Sequence, residues 1–179
     1  MSEAKQLNAY QLLKSMAKQG QAVVSAPAQG DQTGQWRAVG FRLEGTDFLA
    51  PMEQVDEVLY VPNCTRFPGV KPWVAGVANV RGRLLSVIDL GLFFGGKPSI
   101  SSKRSRILAA KFNDLYTGII VDEVLGIQSI VKEARIEQVQ SDKRYSAYVT
   151  GRVEQDGQSW TVFDLAKLVQ APEFLQVAV

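Results

Sequence analysis

The chain has 179 residues, which is enough for one domain, or for two small domains that share a core, without a disulfide or a metal ion. Its 20 basic and 18 acidic side chains leave a net charge of +2, whereas nucleic-acid-binding proteins usually carry a larger and more localised basic excess. It contains no histidine and one cysteine, Cys64, which excludes Ser-His and Cys-His nucleophile pairs and an internal disulfide.

The N-terminal residues differ in composition from the rest of the chain. Residues 1–18 have the spacing of a short amphipathic helix, while residues 19–35 are rich in Gly and Gln and poor in large apolar side chains. There is no signal-peptide core, and no apolar run approaches the ~18 residues that a membrane span needs. We expect residues 1–35 to form a flexible extension of a cytoplasmic protein that does not insert into a membrane.

From Trp36 onward, short runs of alternating apolar and polar residues indicate β-strands separated by turns. Pro51 is well placed to open a single helical turn over 52–54. Asp89 and Asp164 each precede a short apolar run, so both are predicted to cap helices. Residues 95–105, which lead into the basic cluster 103–106, are predicted to be a solvated linker.

The central feature is a predicted hairpin over 76–90. Gly82 supplies the positive φ that a tight turn often needs. The returning strand carries aliphatic side chains on both faces, and we expect it to be buried on both sides. Arg81, a permanent cation at the turn between two apolar strands, is the unusual residue.

The second half of the chain repeats features of the first. The sequence Val-Asp-Glu-Val-Leu occurs at 55–59 and again at 121–125. Five residues recur 75 positions later in the same order, namely Gly76, Gly82, Val87, Asp89 and Leu90 as Gly151, Gly157, Val162, Asp164 and Leu165. This internal duplication predicts a mainly β protein with two small barrels about an approximate two-fold axis, roughly residues 36–99 and 104–171. The pattern leaves open whether strands are exchanged between them.

The duplication also separates residues that the fold needs from residues that vary. The counterpart of Arg81 is Asp156 and that of Asn79 is Glu154, so the hairpin tolerates opposite charge at its tip. A guanidinium is well suited to a partner's carboxylate or carbonyl groups, and arginine is enriched in interface hot spots. Arg81 is therefore a candidate docking residue, with a solvated turn arginine as the alternative. A guanidinium buried in an intramolecular ion pair would argue against docking.

The two Val-Asp-Glu-Val-Leu runs are predicted to be strands. A period of two places Val55 and Glu57 on one face, which suits an edge that binds a partner. The alternative is an edge strand that uses acidic side chains to prevent aggregation. Phe67 and Trp73, in the Pro-rich loop before the hairpin, are predicted to anchor that loop.

These residues resemble the CheW-like adaptors of bacterial chemosensory systems over about residues 36–169, and the CheW-like domain is expected to span residues 36–175. The similarity is carried by a central signature and a second motif, namely Phe67-Pro68-Gly69, Pro72-Trp73, Gly76-Val77, Asn79-Val80-Arg81-Gly82 and Val87-Ile88-Asp89-Leu90, with Gly118 and Val121-Asp122-Glu123-Val124. The tail and the residues Arg83-Leu84-Leu85-Ser86 are similar to those of the PilI-like adaptors, the branch of the family that serves type IV pilus twitching.

The resemblance implies two SH3-like five-stranded barrels, no catalysis and no cofactor. It implies an adaptor that couples the cytoplasmic tip of a chemoreceptor to the regulatory domain of a CheA-type histidine kinase, at the inner face of the membrane. Carried over by motif, the partner-binding residues are Val55, Glu57, Gly76, Val77, Asn79, Arg81 and Gly82.

Two other classes of function stay open at this point. A small barrel that binds nucleic acid would use the basic cluster at 103–106 and would lose affinity steeply with salt. An enzyme of unrecognised type is disfavoured because the sequence shows no nucleophile–base pair.

Overall fold

The computed structural model describes residues 34–101, 103–112, 115–131, 135–136 and 141–179. The extension predicted for the N-terminus lies almost entirely outside these residues. In the described part of the chain, no helix combines the length and apolar character needed to cross a membrane.

Short strands dominate the described residues. In chain order they are β1 Gln35–Leu43, β2 Thr46–Pro51, β3 Glu57–Tyr60, β4 Val74–Val80, β5 Arg83–Asp89, β6 Arg106–Phe112, β7 Leu115–Val121, β8 Glu123–Val131, β9 Arg135–Ile136, β10 Val149–Gln155 and β11 Gln158–Phe163. The short helices are α1 Leu90–Phe93, α2 Leu165–Gln170 and α3 Pro172–Leu175, with 3₁₀ turns at Met52–Gln54 and Ser99–Ser101.

The strands form two sheets, and each sheet takes strands from both halves of the chain. One has the order β8-β1-β2-β11-β10-β9 and the other the order β3-β6-β7-β5-β4. β1 and β2 of the first half join β8–β11 of the second half, and β6 and β7 of the second half join β3–β5 of the first, so strands are exchanged between the predicted barrels. The predicted fold class is confirmed, with the two-residue β9 as an addition to one of the two five-stranded units.

A large apolar core lies between the sheets, and each sheet also encloses a smaller cluster of its own. The shared core includes Phe41, Phe48 and Phe163, whose rings contact one another with centroids 5.3–6.0 Å apart. The smaller cluster inside the β3–β7 barrel includes Leu85 and Tyr116. Because strands of both halves line the shared core, the halves depend on each other for burial of apolar surface.

Three of the hairpins have two-residue turns in which both residues have positive φ. These turns are Glu44–Gly45, Arg81–Gly82 and Asp156–Gly157. This is the backbone of the type I′ turn, whose twist matches that of the flanking strands. The predicted role of Gly82 as a turn residue is confirmed, and its counterpart Gly157 takes the same place in the second copy.

Both predicted helix caps are present. A side-chain oxygen of Asp89 accepts from the Leu92 amide (3.1 Å), and one of Asp164 accepts from the Lys167 amide (3.1 Å). Asp89 also accepts from the backbone amides of Ser99 and Ile100, at 3.0 and 3.1 Å. It therefore holds the segment after α1 in addition to capping the helix.

The segment after α1, residues 95–105, is more closely packed than the predicted solvated linker. Ser99 and Ser105 are buried, and the Ser105 hydroxyl donates to the Ser99 carbonyl oxygen. Arg106 begins β6, and its guanidinium stacks 4.3 Å from the Tyr60 ring centroid. Arg104 forms an ion pair with Glu123 at 3.6 Å. The segment is thus held by internal contacts of Ser99, Ser105 and Arg106, while Lys103 and Arg104 of the basic cluster are exposed.

Two further expectations needed correction. β5 is buried on both faces only from Val87 onward, since Leu84 near its start is 72% exposed. In the Pro-rich loop, Trp73 is buried as predicted, but Phe67 is exposed and does not anchor the loop.

Candidate partner-binding site

The tip of the β4–β5 hairpin projects Arg81 into solvent, with its side chain 77% exposed. Its φ of 50° lies in the left-handed region, which costs a residue with a Cβ roughly 1 kcal/mol or more. Beside it, the Asn79 side-chain oxygen accepts from the Gly82 amide at 2.9 Å. Asn79 and Gly82 therefore build the turn on which Arg81 stands.

Arg81 reaches across to Glu57, the first residue of β3. One of its terminal nitrogens lies 2.8 Å from a Glu57 carboxylate oxygen, and the Glu57 side chain is 23% exposed. The other Glu57 oxygen accepts from the Tyr116 hydroxyl at 2.5 Å. The guanidinium is thus ion-paired but exposed. It does not form the buried intramolecular ion pair that would argue against docking. Most of its donors remain available.

Tyr116 links this polar cluster to the core of the barrel. Its ring packs within the smaller apolar cluster, and the Arg83 guanidinium lies 4.1 Å above the ring centroid. Burial first, and then the hydrogen bond to Glu57, raises the pKa of Tyr116 to about 12. The hydroxyl therefore stays protonated and continues to donate to Glu57 at any physiological pH.

The second copy of the motif does not reproduce the cluster. The glutamate equivalent to Glu57 is Glu123, which begins β8 and pairs with Arg42 at 3.5 Å. The second hairpin tip carries Asp156, whose charge is opposite to that of Arg81. Only one of the two barrels therefore presents a guanidinium at this tip.

Gly76 and Val77 have a clear structural role. The register of β4 against β5 shifts just before Gly76, whose φ is 133°. A Cβ on this residue would collide with the Thr65 carbonyl oxygen. Val77 and Thr65 exchange two backbone hydrogen bonds, of 2.8 and 3.0 Å. Gly76 is buried and shapes the strand, so any effect on a partner is indirect.

The prediction that Val55 and Glu57 lie on one face of a strand is wrong, because Val55 lies outside the strand. β3 begins only at Glu57, and the Val55 amide closes the preceding 3₁₀ turn by donating to the Met52 carbonyl oxygen at 3.2 Å. The Val55 side chain is half-buried against the core between the sheets. It does not share a strand face with Glu57.

The structure brings together Glu57, Asn79, Arg81 and Gly82, and it adds residues that the sequence did not indicate. Tyr116 and Arg83 complete the cluster, and Leu84 lies directly opposite Asn79 in the strand register. An exposed apolar side chain beside a guanidinium is typical of protein–protein interfaces. Among the described residues, no three potential metal-ligating side chains lie close enough together to hold a metal ion.

Comparison with known proteins gives consistent matches. The CheW-like domain model matches residues 37–173. The chain is 42% identical over 154 residues to protein PilI of Pseudomonas aeruginosa, covering 86% of each chain. It is 30% identical over 146 residues to the chemotaxis protein CheW of Bacillus subtilis, covering 80% of this chain and 92% of that protein. The crystal structure of the scaffolding protein CheW from Thermoanaerobacter tengcongensis superposes with a TM-score of 0.68 at 25% identity, over 77% of this chain and 94% of that one.

Proposed function

Because the chain belongs to the CheW-like family of chemosensory adaptors, we propose that it couples a chemoreceptor to a CheA-type histidine kinase and catalyses no reaction itself. The observation that carries the proposal is the exposed Arg81 guanidinium at the hairpin tip, where the second copy of the hairpin carries Asp156.

In this proposal the hairpin tip is the contact surface. Arg81 donates to carboxylate or carbonyl oxygens of a partner, while Asn79 and Gly82 fix the turn. Glu57 holds the guanidinium in place before a partner arrives. Val77 lies on the same hairpin, whereas Gly76 and Val55 position the strands around it.

The adaptor acts through two simultaneous weak contacts. Within an array, the second contact becomes intramolecular and its effective concentration rises, so modest affinities suffice. A change in receptor conformation then biases the kinase only to the extent that the contacts differ between the two receptor states. The identity to PilI supports a place in the branch that controls type IV pilus motility, at the inner face of the membrane. Residues 36–175 are the proposed adaptor domain and 1–35 its extension.

The test is co-purification from native cells. Arg81→Glu should lose the kinase or the receptor while the melting temperature changes little, since the side chain is exposed and an exposed ion pair contributes at most about 1 kcal/mol. The matched control is Asp156→Lys, the same kind of charge reversal at the equivalent tip, which should retain both partners.

A further variant separates docking from the internal ion pair. The double change Arg81→Glu with Glu57→Lys restores an ion pair of reversed polarity but offers the partner the wrong charge. Partners should still be lost. Recovery of binding in the double variant would show that the internal pair, and not a contact of Arg81 with a partner, is what matters.

A further inference from the structure

The C-terminal residues 176–179, here called the strap, pair with the Pro-rich loop 62–72. The Lys71 amide donates to the Val177 carbonyl oxygen at 2.9 Å, and the Val179 amide donates to the Gly69 carbonyl oxygen at 3.1 Å. Between these bonds, Val70 and Ala178 face each other in an antiparallel bridge. The strap thus acts as a short added strand on the outside of the loop.

A different residue of the same loop, Thr65, pairs with β4 of the hairpin. The Thr65 amide donates to the Val77 carbonyl oxygen at 2.8 Å, and the Val77 amide donates to the Thr65 carbonyl oxygen at 3.0 Å. The glycine at 76 leaves room for this close approach. Backbone pairing therefore runs from the strap to the loop and from the loop to β4, which leads directly to Arg81.

The strap is weakly held compared with the core that it adjoins. Its anchor is Phe174, which is 2% exposed and packs against Phe93 with ring centroids 5.4 Å apart. Beyond this anchor every residue is exposed, and Val179 is 91% exposed. A segment with few buried apolar contacts and exposed backbone hydrogen bonds opens locally, without unfolding of the domain.

We propose that the strap is a positioning element for the partner-binding hairpin. When it is paired, it holds the loop against β4 and keeps the Arg81 tip in its binding geometry. When it opens, the Thr65–Val77 pairing loosens and partner affinity falls. A ligand or partner segment that captures the strap would thereby lower binding at a surface that it does not touch. This inference rests on the proposed function.

The test uses the full chain with Val179→Pro. Proline removes the amide that donates to Gly69, and it favours an extended conformation at the preceding Ala178, which the bridge already has. Val179→Ala is the matched control, because it trims the side chain but keeps the amide. A second variant replaces residues 177, 178 and 179 with glycine, which increases the backbone entropy that the strap loses when it pairs with the loop.

Amide hydrogen exchange and calorimetric titration with the regulatory domain of the cognate kinase are the two measurements. With Val179→Pro we expect the amides of Lys71 and Val77 to exchange at least tenfold faster and the Kd to rise three- to tenfold, at an unchanged melting temperature. Val179→Ala should change neither. The glycine variant should behave like the proline variant.

Parallel titration of Arg81→Glu separates the two proposals. If Arg81→Glu abolishes binding but both strap variants bind normally, the strap inference is overturned and the proposed function stands. If Val77 exchange is unchanged once the Lys71 amide is exposed, the strap does not position β4. If Arg81→Glu binds as the wild type does, the hairpin is not the docking site and both proposals fail.

Discussion

Replacing Arg81 with asparagine should weaken partner binding while leaving the fold as stable or making it more stable. Arginine at φ 50° sits in a conformation that asparagine tolerates well, so Arg81→Asn recovers about 0.5–1 kcal/mol of backbone strain. The substitution also removes the 2.8 Å ion pair to Glu57. That pair involves a mostly exposed arginine, and such pairs contribute about 0–1 kcal/mol. The free energy recovered from the backbone strain therefore equals or exceeds the free energy lost with the ion pair.

The effect on binding should be much larger. Truncation of an arginine hot spot typically costs about 2 kcal/mol or more, which corresponds to roughly a 30-fold rise in Kd. Urea unfolding gives the stability, and calorimetric titration with the kinase regulatory domain gives the Kd. We expect the free energy of unfolding to change by no more than about +1 kcal/mol, which is a shift of about 2–4 °C in melting temperature.

The internal duplication supplies the control. Asp156→Asn places the same residue at the equivalent turn, where φ is 54°, and should change neither stability nor binding appreciably. An unchanged Kd for Arg81→Asn would refute the docking role of the guanidinium. A parallel loss of stability and binding would instead make the ion pair with Glu57 a structural requirement.

Three further predictions concern the framework of the site. Gly76→Ala should lower the free energy of unfolding by about 3 kcal/mol in urea titrations, because the alanine Cβ would meet the Thr65 carbonyl oxygen at a strained φ. A loss below about 1 kcal/mol would mean that the loop shifts freely to make room. Asp89→Ala should lower the free energy of unfolding by about 2–4 kcal/mol, compared with ~1 kcal/mol for Asp164→Ala, because Asp89 also accepts from two further backbone amides. Equal losses of stability for the two variants in thermal melts would contradict this. The pKa of Tyr116 is raised in the folded state to about 12, so the native state retains a proton that the unfolded chain releases above about pH 10. The contribution of Tyr116 to stability should therefore be complete below pH 10 and be lost between pH 10 and 12. Because the pKa values of Tyr145 and Tyr148 are also raised, Tyr116→Phe should make the decline in urea titrations shallower without abolishing it.

Local features of the fold were predictable from the sequence because neighbouring residues determine them. The helix caps at Asp89 and Asp164 and the turn glycines follow from backbone chemistry within a few positions. The duplication was visible because related residues recur at one spacing. These signals were sufficient for the fold class, and they singled out Arg81.

Long-range features were not predictable in this way. Alternation assigns a residue to a strand face but does not identify the neighbouring strand, so the exchange of β1–β2 and β6–β7 between the halves stayed open. Tyr116 lies 59 positions from its acceptor Glu57, and no local pattern links the two. Glu57 and Arg81 were both singled out, yet their direct contact emerged only from the three-dimensional arrangement.

The crossed strands also bear on how two different tips came to exist in one molecule. A single half produced as a separate polypeptide would lack neighbours for its outer strands, and it would find them in an identical copy, as domain-swapped dimers do. Such a dimer would display the same residue at both tips. Covalent fusion of the halves removes that symmetry, and it allows one tip to keep an arginine while the other carries an aspartate.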